Sequence, residues 1–200
     1  MESLFSGFQA MSPWEYAAVV FSLAYVTLAI KQSLWCWPAA FISTTIYTIL
    51  FWQGALLLES ALNFYYLIMA IYGWWQWIWG SLSSKKERAI ESWSRQRHGR
   101  WIASALFCAL TLGFVTANYT EAKLPYLDAF TTVFAVMTTY LVTQKVLENW
   151  LYWIVIDIAS IYMYWQLGYY PSVALFVLYT GFAVTGYLKW RRQFESDTLT

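Results

Sequence analysis

Between residues 148 and 164 the chain reads Glu148-Asn-Trp-Leu-Tyr-Trp-Ile-Val-Ile-Asp157-Ile-Ala-Ser160-Ile-Tyr-Met-Tyr164. Trp150, Trp153, Asp157, Ser160 and Tyr164 recur at intervals of three and four, the spacing of one helical face. Asp157 falls near the centre of an apolar stretch, where a carboxylate costs at least about 2.5–3.5 kcal/mol on membrane-insertion scales. It therefore needs either an aqueous cavity that it lines or a Tyr, Thr or Asn on a neighbouring helix that bonds it as a structural carboxyl. Asn63, Tyr66, Ala70, Gly73 and Trp77 show the same spacing, with Glu59 one turn earlier. Asn63 and Tyr66 either line a pocket or serve close helix packing around Gly73.

Aromatic rings, amides and one carboxylate on a face suit a planar, cationic aromatic solute. Rings stack on it and add a cation–π contribution of about 0.5–2 kcal/mol, and amides satisfy ring nitrogens or hydroxyls. The expected substrate-binding set is thus Asn63, Tyr66, Trp150, Trp153, Asp157, Ser160 and Tyr164. Glu59, Gly73, Trp77, Glu148 and Asn149 are gating or structural candidates, Glu148 suiting the positive end of a helix.

Other chemistries lack their residues. Walker loops, HExxH, GxSxG and cysteine–histidine clusters are missing from the sequence, so neither ATP-driven pumping nor a metal or other cofactor is expected. The single histidine, His98, stands among Arg95, Arg97 and Arg100 in what reads as a polar loop. Cys36 and Cys108 lie in apolar stretches and read as small buried hydrophobes. Asp157 could carry a proton, but so few buried carboxylates favour simple facilitated diffusion. An enzyme would cluster His, Asp, Glu or Ser at one face; here they are scattered. An assembly factor is the other competing class, and it would bind no vitamin.

These residues must be held by elements that suit lipid. Of the 200 residues, 60% are hydrophobic and 12% charged, with mean hydropathy +0.45 and net charge +1. So few charges cannot clothe a soluble core of this size, and no strong field points to nucleic acid. Seven spans of about 20 apolar residues are predicted at 14–31, 35–53, 57–80, 101–118, 127–144, 148–167 and 170–190. The N-terminal MESLFSGFQA lacks the basic region of a cleavable signal, so the first span is expected to stay. Trp79, Trp101 and Trp190 are expected to anchor at the membrane interfaces. The polar stretch 81–100 reads as a solvated cytoplasmic connector.

Orientation follows from the cations. Lys31, Lys85, Lys86, Arg88, Arg95, Arg97, Arg100, Lys145, Lys189, Arg191 and Arg192 fall on one side, eleven of the twelve, and only Lys123 on the other. Positive residues favour the cytoplasm, which sets the N-terminus outside and the C-terminus inside.

Shifted by 113 residues without gaps, the first three spans align on the last three. The identities include Trp37/Trp150, Trp52/Trp165, Gln53/Gln166, Tyr66/Tyr179, Gly73/Gly186 and Trp77/Trp190. In all, thirteen matches fall between positions 20 and 77, where about 4 are expected by chance. Three helices end on the opposite side, so the single helix at 101–118 lets both repeats (14–80 and 127–190) insert in the same direction. Parallel repeats of this kind are a transporter architecture with the substrate held between them.

Lys31-Gln-(x)2-Trp35-(x)-Trp37-Pro38, Tyr65-Tyr66-(x)5-Tyr72-Gly73-Trp74-Trp75-Gln76-Trp77 and Glu148-Asn149-Trp150-(x)2-Trp153-(x)3-Asp157-(x)2-Ser160 together resemble the PnuC family of bacterial vitamin transporters. The resemblance runs from about Trp14 to Trp190. It implies an all-α, multi-pass, 3+1+3 fold similar to the SWEET sugar transporters, in the bacterial inner membrane, commonly as a homotrimer. It implies facilitated diffusion of a vitamin that a cytoplasmic kinase then traps by phosphorylation. Nicotinamide riboside, thiamine and riboflavin are the family's chief substrates, and the first two are cationic rings. The chain opens almost at its first core helix and is compact and Trp-rich, which looks more like the thiamine branch, PnuT. Thiamine is therefore the expected substrate, with nicotinamide riboside the alternative.

Overall fold

The computed structural model describes residues 12–79 and 88–198, and all seven predicted spans within them are helical. The helices are α1 (Pro13–Ile30), α2 (Cys36–Gln53), α3 (Leu57–Trp79), α4 (Arg95–Tyr119), α5 (Pro125–Thr143), α6 (Asn149–Gln166) and α7 (Tyr170–Thr198). On length and apolar composition α1, α4, α5 and α7 suffice to cross a membrane. In α2, α3 and α6 hydroxyl, amide, carboxyl and indole groups dilute the apolar content, and these include the helices that carry the candidate site. Cys36 and Cys108 are both free thiols; Cys36 is buried as expected, but Cys108 is exposed on α4.

The chain divides into two compact units. The first comprises Met1–Ala89 with Val142–Lys145. Its α1 opens with Ser12 and Glu15 in a reciprocal capping box and Pro13 in the first turn, which satisfies amides that would otherwise be orphaned in lipid. α1 packs on α2, and α2 on α3. Ser43 Oγ donates to the Ala18 carbonyl at 2.9 Å and lies 2.6 Å from Ser22 Oγ. Ser60 Oγ donates to the Thr48 carbonyl at 2.9 Å. The centre is Trp37, which lies against Gly73 so closely that a Cβ there would sit 2.2–2.4 Å from its ring. Trp77 meets the same indole edge-on at 5.1 Å and 86°.

The second unit comprises Ile90–Leu141 with Val146–Thr200. Ala105 of α4, Phe134 and Ala135 of α5 and Ile156 of α6 form one buried cluster. Gly113 of α4 accepts the Tyr126 ring of α5, 2.5 Å from where a Cβ would lie. α6 packs on α7 through Trp150, whose ring lies 2.6–2.7 Å from a notional Cβ of Gly186. Trp190 meets Trp150 edge-on at 5.4 Å and 87°. Trp190 is fully buried, so it is a packing residue and not the interfacial anchor expected of it; Trp79 is 60% exposed.

Two boundaries depart from expectation. α4 begins at Arg95, because Ser94 Oγ accepts from the Arg97 amide at 3.3 Å and starts the helix inside the polar run. Arg95, Arg97, His98 and Arg100 are therefore helical, while Lys85 and Lys86 lie outside the described residues. α7 continues to Thr198, since no breaker follows Trp190 and Arg191–Glu195 and Gln193–Asp197 pair one turn apart. Such pairs support an exposed helix end.

The turns that close the helices share a pattern. Gln32 (φ 55°) and Lys145 (φ 48°) are left-handed, as are Ala55 (φ 58°) and Gly168 (φ 78°). Ser33 N donates to Leu28 O and Val146 N to Leu141 O, both at 3.0 Å, and Leu56 N to Phe51 O and Tyr169 N to Tyr164 O at 2.8 and 2.9 Å.

Candidate functional site

In the second unit, α6 presents the expected stripe, but its residues do different work. Trp150 is packed into Gly186 and Trp190, its indole Nε1 without a partner. Tyr164, at the other end, stacks on Phe176 at 5.4 Å and 14°. Trp153 is half-buried against the Ala105–Phe134–Ala135–Ile156 cluster. Between these lie Asp157 and Ser160, each only 3% exposed. Neither makes a hydrogen bond or ion pair among the described residues, so no Tyr, Thr or Asn there holds Asp157 as a structural carboxyl. Thr138 of α5 is likewise buried with its hydroxyl unpaired. A buried carboxyl with no donor is costly, and a ligand or water that supplies one relieves that cost.

Glu148 and Asn149 begin α6. The Asn149 side chain is fully buried; its Nδ2 donates to the Val146 carbonyl at 2.7 Å and its Oδ1 has no partner. The Glu148 carboxylate does not cap its own helix. It accepts from the Ser92 hydroxyl and from the Trp93 amide at 3.3 Å, and lies 3.4 Å from His98 Nε2. His98 Nδ1 is 2.9 Å from the Tyr152 hydroxyl. The histidine expected in a solvated loop is thus a half-buried member of a polar cluster. No group of three metal-ligating side chains occurs among the described residues.

In the first unit, Asn63 and Tyr66 are half-buried on α3. Asn63 Nδ2 donates to the Glu59 carbonyl at 2.9 Å, and Glu59 itself is exposed. Gly73 and Trp77 belong to the packing around Trp37. One turn on, a polar set that the sequence did not single out gathers at Gln144. The Tyr72 hydroxyl accepts from Gln76 Nε2 and from Gln144 Nε2, both at 3.1 Å, and Gln76 Nε2 also reaches Gln144 Oε1 at 3.2 Å. Arg88 Nε donates to the Gln144 carbonyl at 3.0 Å, and Trp77 Nε1 to the Val142 carbonyl at 3.2 Å. Lys145, counted above as an ordinary loop cation, is 2% exposed with its ammonium 4.5 Å from the Trp77 ring centroid. The i, i+4 pair Tyr72 and Gln76 on one face of α3 is the sequence signal for this set.

A family model described as "nicotinamide mononucleotide transporter" matches residues 12–192. The chain belongs to that family. Among curated relatives, the riboflavin/roseoflavin transporter RibM of Streptomyces davaonensis is 25% identical over 182 residues, covering 88% of this chain and 84% of that protein. The nicotinamide riboside transporter PnuC of Escherichia coli is 22% identical over 203 residues, with the same coverage. A crystal structure described as that of the vitamin B3 transporter PnuC superposes with a TM-score of 0.74 at 19% identity, covering 97% of this chain and 87% of that one. The fold is shared with that structure. This is a multi-pass membrane transporter of the PnuC family. The thiamine branch expected from the sequence finds no support among these relatives, which are named for other vitamins.

Proposed function

We propose that this family member carries out facilitated uptake of a cationic, N-ribosylated pyridine, nicotinamide riboside, across the bacterial inner membrane. The observation that carries this is Asp157, a buried carboxyl without a hydrogen-bond partner among the described residues, on the helix face that also carries Trp153 and Ser160. A neutral isoalloxazine such as riboflavin has no use for that charge. Between the two cationic rings, nicotinamide riboside is favoured over thiamine because the E. coli relative is named for it. Trp153 would stack on the ring, Asp157 offset its charge, and Ser160 and Tyr164 bond the ribose and amide. Trp150 would fix the helix more than touch substrate.

The same proposal takes the chain as two parallel three-helix repeats around α4, with the N-terminus outside. Three features support it. The left-handed residues Gln32/Lys145 and Ala55/Gly168 are each 113 residues apart, the register of the sequence repeat. The turn hydrogen bonds recur in that register. So does the Trp–Gly–Trp packing of Trp37–Gly73–Trp77 and Trp150–Gly186–Trp190. Assembly as a homotrimer, uncoupled transport and trapping by a cytoplasmic kinase complete the proposal and rest on the family resemblance.

Calorimetric titration of the purified protein with nicotinamide riboside, thiamine and riboflavin tests it. Saturable binding of nicotinamide riboside, weakened in Asp157→Asn, is expected. Binding of riboflavin alone overturns the charge argument; binding of thiamine alone restores the thiamine branch.

A further inference from the structure

The helix that carries Asp157 has to be held at the right rotation, and the second unit contains a device for doing so. On one side, α7 receives Trp150 at Gly186. On another, the segment before α4 runs beside the start of α6. Glu91 and Val146 form a parallel bridge, with the Leu147 amide donating to the Glu91 carbonyl at 2.8 Å. Ser92 and the Trp93 amide donate to Glu148. Trp93 is buried, covered by the Arg97 guanidinium 3.6 Å above its ring and by Trp101 edge-on at 5.5 Å. It shares a core with Leu141 and Val146, against which Tyr152 packs.

His98 closes this strap. The imidazole meets two neighbours: Nδ1 hydrogen-bonds with the Tyr152 hydroxyl at 2.9 Å, and Nε2 lies 3.4 Å from the Glu148 carboxylate, an ion-pair distance without hydrogen-bond geometry. Glu148 and Tyr152 are four residues apart on α6, so the imidazole spans one helical turn. Tyr152 also packs on the cluster that seats Trp153. A shift of the imidazole therefore reaches Trp153 through two contacts.

The corresponding positions of α2 cannot be held this way. In the repeat register Glu148 matches Trp35, 73% exposed, and Tyr152 matches Ala39; neither carries a comparable acceptor. Among the described residues, such a strap is built around the helix that bears the carboxyl.

We propose that His98 is a positioning residue for substrate binding, acting through Tyr152 and Glu148 on the rotation of α6. The transport consequence rests on the proposed function; the clamp itself does not. Two measurements on the purified full chain keep them apart. The first is hydrogen exchange of the α6 amides in wild type, His98→Ala and His98→Gln, where the glutamine side chain keeps one donor and one acceptor group. Exchange in the first two turns of α6 should rise several-fold, up to about tenfold, in His98→Ala, as expected for loss of the Tyr152 hydrogen bond together with the Glu148 contact, and return towards wild type in His98→Gln, with α7 amides unchanged. The second is nicotinamide riboside binding, where His98→Ala should weaken affinity about tenfold at an unchanged site number, and His98→Gln should recover most of it. Unaltered α6 exchange in His98→Ala overturns the clamp. Faster α6 exchange with wild-type affinity overturns the positioning role. A wild-type protein that binds no nicotinamide riboside overturns the substrate reading, while the exchange data still decide the clamp.

Discussion

Alanine at Gly73 and at Gly186 should destabilise the protein, while alanine at Gly181 should not. A Cβ on Gly73 would lie 2.2–2.4 Å from three ring atoms of Trp37, and one on Gly186 2.6–2.7 Å from three ring atoms of Trp150. Both indoles are rigid, almost fully buried and braced by a second tryptophan, so neither can swing away. Overpacking of this kind costs about 1–3 kcal/mol. Replacing a mid-helix glycine regains about 1 kcal/mol, which leaves a net loss of up to about 2 kcal/mol at each site. A Cβ at Gly181 meets nothing within 4 Å, so there only the gain remains. Thermal unfolding in detergent, followed by tryptophan fluorescence, reads all three. Gly73→Ala combined with Trp37→Leu should recover stability relative to the two single changes added together, because the clash and the indole vanish as a pair. If Gly73→Ala melts at or above wild type, or if Gly181→Ala falls as far as the other two, the close-approach argument fails.

Asp157→Asn should leave the melting temperature unchanged or raise it, since an uncompensated carboxyl is removed from a buried site, while nicotinamide riboside affinity falls at least about tenfold; titration calorimetry beside a melt checks both. Trp153→Ala should cost binding about 0.5–2 kcal/mol from the lost ring, whereas Trp150→Phe should cost stability and leave affinity within about twofold. The reverse pattern would exchange their roles. At the equivalent turns after α2 and α6, Ala55→Gly should stabilise and Gly168→Ala destabilise, by about 0.5–1 kcal/mol each, because the left-handed φ of 58° and 78° suits glycine and strains alanine. Equal signs in the two melts would refute that reasoning.

Helix positions were legible where hydropathy and chain breakers coincide. The ends of α2, α3 and α6 fall within two residues of expectation, because left-handed Ala55 and Gly168, with the turns around them, cut continuous apolar runs. The start of α4 was hidden, since hydropathy registers only at Trp101 while the cap is a serine inside a charged run. The stripe on α6 was legible from periodicity alone, but periodicity cannot say which neighbour each side of the stripe meets. Trp150 and Trp190 therefore read as a substrate contact and an interfacial anchor, and both are knobs against or beside a glycine. Contacts made through segments remote in sequence were beyond reach: His98 with Tyr152, and Gln144 with Tyr72, are 54 and 72 residues apart.

The proposed repeat separates frame from chemistry. A residue that recurs at the same place in both halves has a packing reason to be there twice: Trp37 and Trp150, Gly73 and Gly186, Trp77 and Trp190. Asp157, Trp153, Ser160 and Asn63 lack such twins, whereas Tyr66 has one in Tyr179. Asp157 corresponds to Thr44, whose hydroxyl is spent on the Ala40 carbonyl of its own helix at 2.8 Å. Trp153 corresponds to Ala40, Ser160 to Tyr47 and Asn63 to Phe176. Glu148 and Tyr152, which tie α6 to the strap, are equally single. The proposed frame would give the two halves the same helix packing, with the Asp157 carboxyl, the Trp153 indole and the strap among the features carried by one half alone. The carboxyl and the indole lie on the same helix as the strap's contacts, so helix positioning is perturbed apart from charge recognition at strap residues such as His98, which touches α6 without belonging to it.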